Sequence, residues 1–481
     1  MTAKARISAI NRFISGCKAD GIYNDLQAAC VMAGWDGLAG ALTPLVGASP
    51  TNSGFVDADL DRGNGLTGDG SSKYLDSNRA NNADGQDDNH NAVYCSAAAS
   101  TLSGYLCSAS GVNGANQLFP DVSLGTMNMR NRRASGSGSS LDGYESATGL
   151  IGHSRSSSSE YGLRVSGEDF TASLASQTPD SANLTAFKFG AAGFNTDATL
   201  SFYSIGSATD LALLDLRVSQ LMADLRAIEE DGFDADAVAY IRNVETADSA
   251  YLETSVKTAI NRLVVGLKKD GLWESMKASC LLCGPRTLAG ALVPLRGVAP
   301  TAVAFTDGDY SRSTGLTGDG STTYLDSGRA NDDDPQNDTH LAAYLTSPTV
   351  EASRYLVGVQ NSTAPSYNTI GHGLYSRTVD TASGRPALRS PVPIGLTGIS
   401  RSQTDRYDYV KPPDAVATHV ADSVADDLGK THFVFAYQGA NGQPYGVTAA
   451  TIAFYSIGTS LSLELLDTHI SNYVTAIGAS V

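Results

Sequence analysis

The chain reads as a mostly β protein: two tandem antiparallel β-sandwich domains, each opened by a helical hairpin and closed by a C-terminal helix. Three observations predict this. The sequence is duplicated almost end to end. The body of each copy is written in short apolar or aromatic runs between turn residues. Helix-spaced apolar stripes stand at the borders of each copy.

The duplication sets the architecture. RISAINRFISGCKADGIYNDLQAAC, from Arg6, pairs with VKTAINRLVVGLKKDGLWESMKASC, from Val256, at a constant offset of 250. The register holds through LAGALTPL (from Leu38) against LAGALVPL (from Leu288), then GLTGDGSSKYLDSNRAN (from Gly65) against GLTGDGSTTYLDSGRAN (from Gly315). It continues to His90 on His340 and Tyr94 on Tyr344, drifts, and returns at FYSIG, Phe202 on Phe454. A repeat this long is a whole domain rather than a solenoid module. The expected division is residues 1–226, an acidic, alanine-rich helical join at 227–250 leading into the next helix, and 251–481. A chain of 481 residues exceeds one ordinary core, which stops growing at roughly 250 residues.

Within a unit, Ile7, Ile10, Ile14 and Cys17 recur at helical spacing before Gly21. Leu26, Ala29, Cys30 and Ala33 predict a second short helix over about 24–32, and Ile260, Leu263, Leu267, Met276 and Cys280 repeat both patterns. Then come strand candidates: NAVYCSAAA, GYLCSAS, YGLRVS, AFKFGA and TLSFYSIG in the first copy, LAAYLTS, RYLVGVQ, THFVFAYQ and TIAFYSIG in the second. Many short strands at this spacing predict a sandwich or jelly roll. Leu211, Leu214, Val218, Leu221 and Leu225, and later Leu463, Leu466, Ile470, Tyr473 and Ile477, form closing stripes expected to pack on their own sandwich.

A net charge of -17 without a basic face argues against nucleic acid and anionic membrane as partners. No apolar run is long enough to span a bilayer, and the first 30 residues carry no secretory pattern, so synthesis in a cytoplasm is expected. Only Cys30 and Cys280 of the six cysteines occupy matching places, which is not a disulfide framework. Cys280 and Cys283 make a lone CxxC without further ligands, and buried helix cysteines are the expectation there.

Motifs for chemistry fail one by one. Gly63–Gly68 (GNGLTG) matches a dinucleotide pattern in letters, but Ser313 replaces its first glycine in the second copy and strand text follows in both. GLTGDG reads instead as a tight turn, with Asp69 bonding the backbone two residues on. NNADGQDDNH aligns with NDDDPQNDTH, keeping Gln86, Asp88 and His90 on Gln336, Asp338 and His340; it offers oxygens for calcium but lacks EF-hand spacing, and a polar loop is the reading adopted. Glu145, Glu160 and Glu168 do not coincide with Glu351 and Glu464, which leaves no duplicated carboxylate pair for glycoside hydrolysis. The shared Asp59, Arg62, Tyr74, Asp76 and Arg79, with Asp309, Arg312, Tyr324, Asp326 and Arg329, read as turn-pinning ion pairs, with recognition of a sugar or protein as the rival. No catalytic, cofactor-binding or metal residue is assigned; no enzyme activity and no cofactor are expected.

The order of helical opening, TGDGS-x-x-YLDS turn and strand, D-x-H-x-x-x-Y strand and final FYSIG before a leucine-striped helix resembles duplicated modules in structural proteins of tailed bacteriophages. Those modules look like laminin-G or concanavalin-type jelly rolls. The resemblance implies a non-enzymatic virion component on the particle exterior (capsid decoration, fibre, or tail or baseplate protein). It implies assembly with other virion proteins and as a homo-oligomer, with a carbohydrate-binding adhesin for host glycan as the alternative. The stretches 108–186 and 358–431 diverge most between copies, so specific binding loops are expected there. Fold alone does not fix function.

Overall fold

The structure is a computed structural model that describes residues 3–135, 139–189, 194–347, 354–360, 366–371, 373–379, 386–387, 393–424 and 429–481. The chain divides into two compact units, Met1–Gly232 and Phe233–Val481.

In the first unit, one sheet runs in the order Glu168–Ala172, Tyr161–Val165, Gly149–Arg155, Asn89–Ala97, Thr199–Gly206, Leu26–Val31, Pro44–Val46. The other runs Ser140–Asp142, Thr126–Arg133, Ala115–Asp121, Leu106–Cys107, Asn183–Ala186, Tyr74–Ala80, Thr51–Ser53. All the pairings within these two sheets are antiparallel. Val93, Cys95, Leu118, Met127, Leu200 and Tyr203 fill the space between the sheets. On the far side of the first sheet, Ala92, Tyr94 and Phe202 meet the helices Ala3–Ala19 and Leu211–Glu229 through Phe13, Cys17, Leu214, Val218, Leu221 and Leu225. The unit is thus a three-layer body, and its closing stripe packs on its own sandwich as the spacing predicts. Asp210 caps that helix, accepting from the backbone N–H groups of Ala212 (2.9 Å) and Leu213 (3.0 Å).

The second unit repeats this plan. Its first sheet runs Pro294–Arg296, Met276–Leu281, Thr451–Gly458, Thr339–Ser347, Gly395–Arg401, Arg406–Val410, Ala417–Val420. Its second runs Thr301–Val303, Tyr324–Ala330, Thr431–Val434, Tyr355–Gln360, Ser366–Gly371, Leu374–Val379. The helices Thr254–Lys269 and Leu463–Gly478 cover the first sheet as their counterparts do. Where the first unit clasps its helices with Arg217 on Asp20 (2.6 Å), the second uses His469 on Asp270 (2.7 Å).

Three expectations need correction. The predicted second helix is a strand: a 3-10 turn at Tyr23–Asp25 leads into Leu26–Val31, and Met276–Leu281 repeats it. The unit therefore opens with one helix, not a hairpin. This strand lies inside a three-layer body and is buried on both faces, Cys30 toward the sandwich and Ala29 toward the helices, so its apolar run carries no strand alternation. Cys280 accordingly sits in a strand, and all six cysteines are buried free thiols. Nor does the join run straight into the next helix: Ala235–Asp248 ends at Ser249, which takes φ 51° in the left-handed region, before Thr254–Lys269 begins. Ala237, Tyr240, Ile241 and Val244 belong to the second unit's helical core, and Lys257 Nζ meets Glu245 Oε1 at 3.0 Å inside it.

Two paired positions fix the central strands. Gly65 (φ 103°) and Gly315 (φ 110°) lie against the neighbouring strand so closely that a Cβ would stand 2.3 Å from Leu200 O or Ile452 O. His90 and His340, fully buried, bridge strand ends: His90 Nδ1 lies 2.6 Å from Ser207 O and Nε2 2.6 Å from Ser204 Oγ, and His340 meets Thr459 O (2.6 Å) and Ser456 Oγ (2.8 Å) likewise. Burial lowers both histidines to about 4.

Gly65→Ala or Gly315→Ala is expected to destabilise the protein by ~2 kcal/mol or more in urea unfolding, from strained backbone and the collision together. Below the ordinary histidine value of about 6.5 the unfolded chain takes up protons that the fold refuses. Stability is therefore full above that pH and falls as pH drops toward 4, by up to ~3 kcal/mol for each of His90 and His340. Urea midpoints between pH 7 and 4 measure the loss, and His90→Gln with His340→Gln should flatten it.

Candidate functional site: buried arginines and aromatic hairpins

The residues shared by the two units are occupied in holding the scaffold. Asp69 accepts backbone N–H bonds from Ser71 (2.9 Å), Ser72 (2.8 Å) and Lys73 (3.0 Å), and Asp319 does the same with Ser321, Thr322 and Thr323, so GLTGDG is the tight turn its letters predict. Desolvation works to raise both carboxyls, but the hydroxyl and backbone donors outweigh it and hold them well below the usual carboxylate range. Arg79 pairs with Asp84 and Arg329 with Asp334. Arg62 reaches Asp36 (2.7 Å), while Arg312 turns to Glu253 (2.7 Å), which stands immediately before the helix Thr254–Lys269. Asp59 and Asp309 cap short 3-10 turns, accepting from Val56 N and Thr306 N (both 2.8 Å). Asp76 holds Asn78 N (2.8 Å), and Asp326 holds Gly328 N (3.0 Å). Tyr74 carries the Lys188 ammonium 4.2 Å from its ring, and Tyr324 stacks on Phe433 at 4.6 Å.

The Asp-rich loops are tied down from within. Asp88 accepts from Ala208 N and Asp338 from Ser460 N, both at 2.7 Å; Gln86 donates to Ser176 Oγ (2.9 Å) and Gln336 to Ser423 Oγ (3.0 Å). The loop carbonyls of Asn81, Asp84 and Gly85 accept from the Arg132 guanidinium, and those of Asn331 and Asp334 from Arg377. A protein cation thus binds the carbonyls of the polar loop in each unit. Among the described residues no group of three or more His, Cys, Asp and Glu is placed to hold a metal ion. Of the glutamates, Glu168 accepts from the Tyr144 hydroxyl (2.6 Å), Glu464 lies in the first turn of the closing helix, and Glu351 lies outside the described residues.

Sequence reasoning missed four buried arginines. Arg155 and Arg401 are 0% exposed and Arg132 and Arg377 1%. Arg155 spends its five donors on Asn131 Oδ1 (3.1 Å) and the carbonyls of Ser157 (2.9 Å), Glu160 (3.1 Å), Asn131 (2.9 Å) and Leu174 (3.0 Å). Arg401 makes five bonds to the carbonyls of Ser376 (3.0 Å), Gln403 (3.0 Å), Thr404 (3.2 Å), Arg406 (3.3 Å) and Ala421 (3.0 Å). Each guanidinium also lies over a tyrosine ring, Tyr161 at 4.7 Å and Tyr407 at 5.1 Å. Arg132 and Arg377 sit in the left-handed region at φ 44° and 48°. Burial lowers Arg132 to about 10, still charged at neutral pH. The matching could have been read from the sequence only by aligning MRNRR with LYSRT across the length drift.

The surface also carries aromatic side chains. In each unit a short hairpin follows a phenylalanine in the left-handed region, Phe187 (φ 67°) or Phe435 (φ 68°). The first unit's hairpin sets Phe189 opposite Phe194, 43% exposed, with Phe119 at 4.5 Å from Phe189 and the Arg130 guanidinium 5.1 Å over Phe119. The second sets Tyr437 opposite Tyr445, 44% exposed, their rings stacked at 5.8 Å and 25°. Tyr355 (4.5 Å) and Tyr367 (6.2 Å) meet Tyr437 edge-on, and Tyr375 lies 5.4 Å from Tyr367. Tyr367 and Tyr375 fall in the divergent stretch 358–431 where binding loops were expected; Tyr355, Tyr437 and Tyr445 lie outside it.

No protein-family model and no curated protein matches the sequence. Solved structures similar to it include the CBM40 domain of the Ruminococcus gnavus IT-sialidase, at 12% identity over 28% of this chain and 83% of that one, with a TM-score of 0.23. Domains LG4-5 of the mouse laminin alpha1 chain share 10% identity over 78% of this chain and 84% of theirs, TM-score 0.23. A Trypanosoma rangeli sialidase mutant displaying trans-sialidase activity shares 13% over 46% and 38%, TM-score 0.29. At such scores the assignment of two mostly β sandwich units rests on the sheets themselves, and nothing about binding is taken from these proteins.

Proposed function

We propose that the chain is a non-enzymatic protein of a virion exterior, two sandwich units held in place by protein–protein contacts. The supporting observation is how the duplicated polar residues are spent. Asp69, Asp319, Arg79, Arg329, His90 and His340 each satisfy a turn, a loop or a strand end of their own unit. A doubling that preserves scaffold while its surfaces diverge suits a display element, because display asks for a rigid, soluble body rather than a poised acid–base pair. The virion assignment itself rests on the resemblance of the text to phage modules.

A second reading, recognition of host-surface glycan, is favoured by one observation: the stacked pair Tyr437 and Tyr445 offers aromatic surface to solvent.

Particles purified from lysates in which the chain is made are expected to carry it, with antibody labelling on the outside by electron microscopy. No reducing ends should be released when the protein is incubated with host-surface polysaccharide. Absence from particles would overturn the virion reading, and release of reducing ends the non-enzymatic one.

A further inference from the structure

We infer that the tyrosine cluster of the second unit is a binding site for a neutral sugar, an inference that rests on the glycan-recognition reading above. The hairpin strands Tyr437–Gln438 and Pro444–Tyr445 bring Tyr437 and Tyr445 into register and present their stacked rings at the surface. Tyr355 and Tyr367 brace Tyr437 edge-on, which fixes its plane without covering the outer partner, Tyr445. A rigid aromatic face of this kind suits the C–H face of a pyranose: the ring face carries negative charge density, the sugar's C–H edge positive, and little side-chain entropy is lost on contact.

The rim supplies the polar half of the match. Asn441 Nδ2 donates to the Tyr445 hydroxyl at 3.0 Å, and Gln360 Nε2 to the Tyr367 hydroxyl at 3.1 Å. Asn441 Oδ1 accepts from Gln443 N at 3.1 Å, so the amide is held in place and the two tyrosine hydroxyls keep lone pairs beside the ring faces, the groups that sugar hydroxyls bond.

Charge decides the class of sugar. Tyr355, Tyr367, Tyr437, Tyr445, Gln360 and Asn441 are uncharged at neutral pH, and the nearby Lys430 ammonium is engaged by the carbonyls of Gln360 and Ala440, both at 3.1 Å. On a chain of net charge -17, a sialylated or uronic-acid glycan meets repulsion from the chain as a whole. The first unit supplies the contrast. Phe189 and Phe194 keep the hairpin pair but lie tilted at 55°, carry no hydroxyls, and are flanked by Phe119 and Arg130. The sugar site belongs to the second unit alone.

The test uses the full chain on an array of neutral (gluco-, galacto- and manno-configured) and sialylated oligosaccharides, with hits titrated calorimetrically. Neutral oligosaccharides should be retained. Tyr445→Ala should weaken them by about tenfold or more, Asn441→Ala by a few-fold, and Tyr445→Phe by less than Tyr445→Ala, since it keeps the ring. Phe194→Ala should change nothing. Tyr445 lies on an exposed hairpin and Tyr445→Phe preserves its packing, so thermal melts of the variants separate misfolding from lost binding. Neutral binding indifferent to Tyr445→Ala would place the site elsewhere while leaving glycan recognition standing, and selective retention of sialylated sugars would overturn the neutral class. An empty array would remove both the site and the glycan reading.

Discussion

A guanidinium buried from solvent and bonded by carbonyl oxygens is the constraint on which each unit depends. Among the described residues none of Arg132, Arg155 and Arg401 has a carboxylate within ion-pair distance, yet each is buried and charged. Such a charge is tolerated only where enough oriented dipoles replace its hydration. Here the dipoles are backbone carbonyls of the turns that follow each arginine in sequence: Ser157, Glu160 and Leu174 around Arg155, and Gln403, Thr404, Arg406 and Ala421 around Arg401. One side chain therefore fixes several loop conformations at once. The left-handed backbone at Arg132 and Arg377 fits the same account, because an unfavourable φ persists only where its surroundings over-determine it.

The same cages hold these loops. Asn81, Asp84 and Gly85 turn their carbonyls to Arg132, while the Asp84 carboxylate takes Arg79. Acidic and amide side chains then serve neighbouring backbone donors, as Asp88 does for Ala208. A sequence rich in Asp and Asn is a poor guide to whether the cation it surrounds is a metal or an arginine, because both satisfy oxygen.

Much of the fold was legible, and the failures have physical causes. Duplication, closing helices and the TGDG turn could be read because each depends on local chemistry: a 3-then-4 apolar stripe, a glycine in the left-handed region, an aspartate two residues before a free N–H. Leu26–Val31 was misread because layers on both faces erase the alternation that marks a strand. Ser249 interrupts the join although Ala235–Asp248 is helical, since Tyr240, Ile241 and Val244 follow the packing of the second unit rather than the register of the helix to come. The aromatic hairpins were visible only in part. AFKF and VFAY read as strand text, but that Tyr445 stacks on Tyr437 depends on a turn through Asn441 and Gly442 that pairs the two. The buried arginines left no local signal, since most of their partners are backbone carbonyls, which every residue has.

Exchange of amide protons in the full chain carrying Arg401→Met tests the central claim most directly, because methionine keeps apolar bulk and removes every donor. If the cage holds the second unit, protection collapses around 403–406 and 417–421 and the unfolding midpoint falls by a loss of at least ~3 kcal/mol. Unchanged protection in those segments, with an unchanged midpoint, would show that the carbonyls need no guanidinium and that the account is wrong.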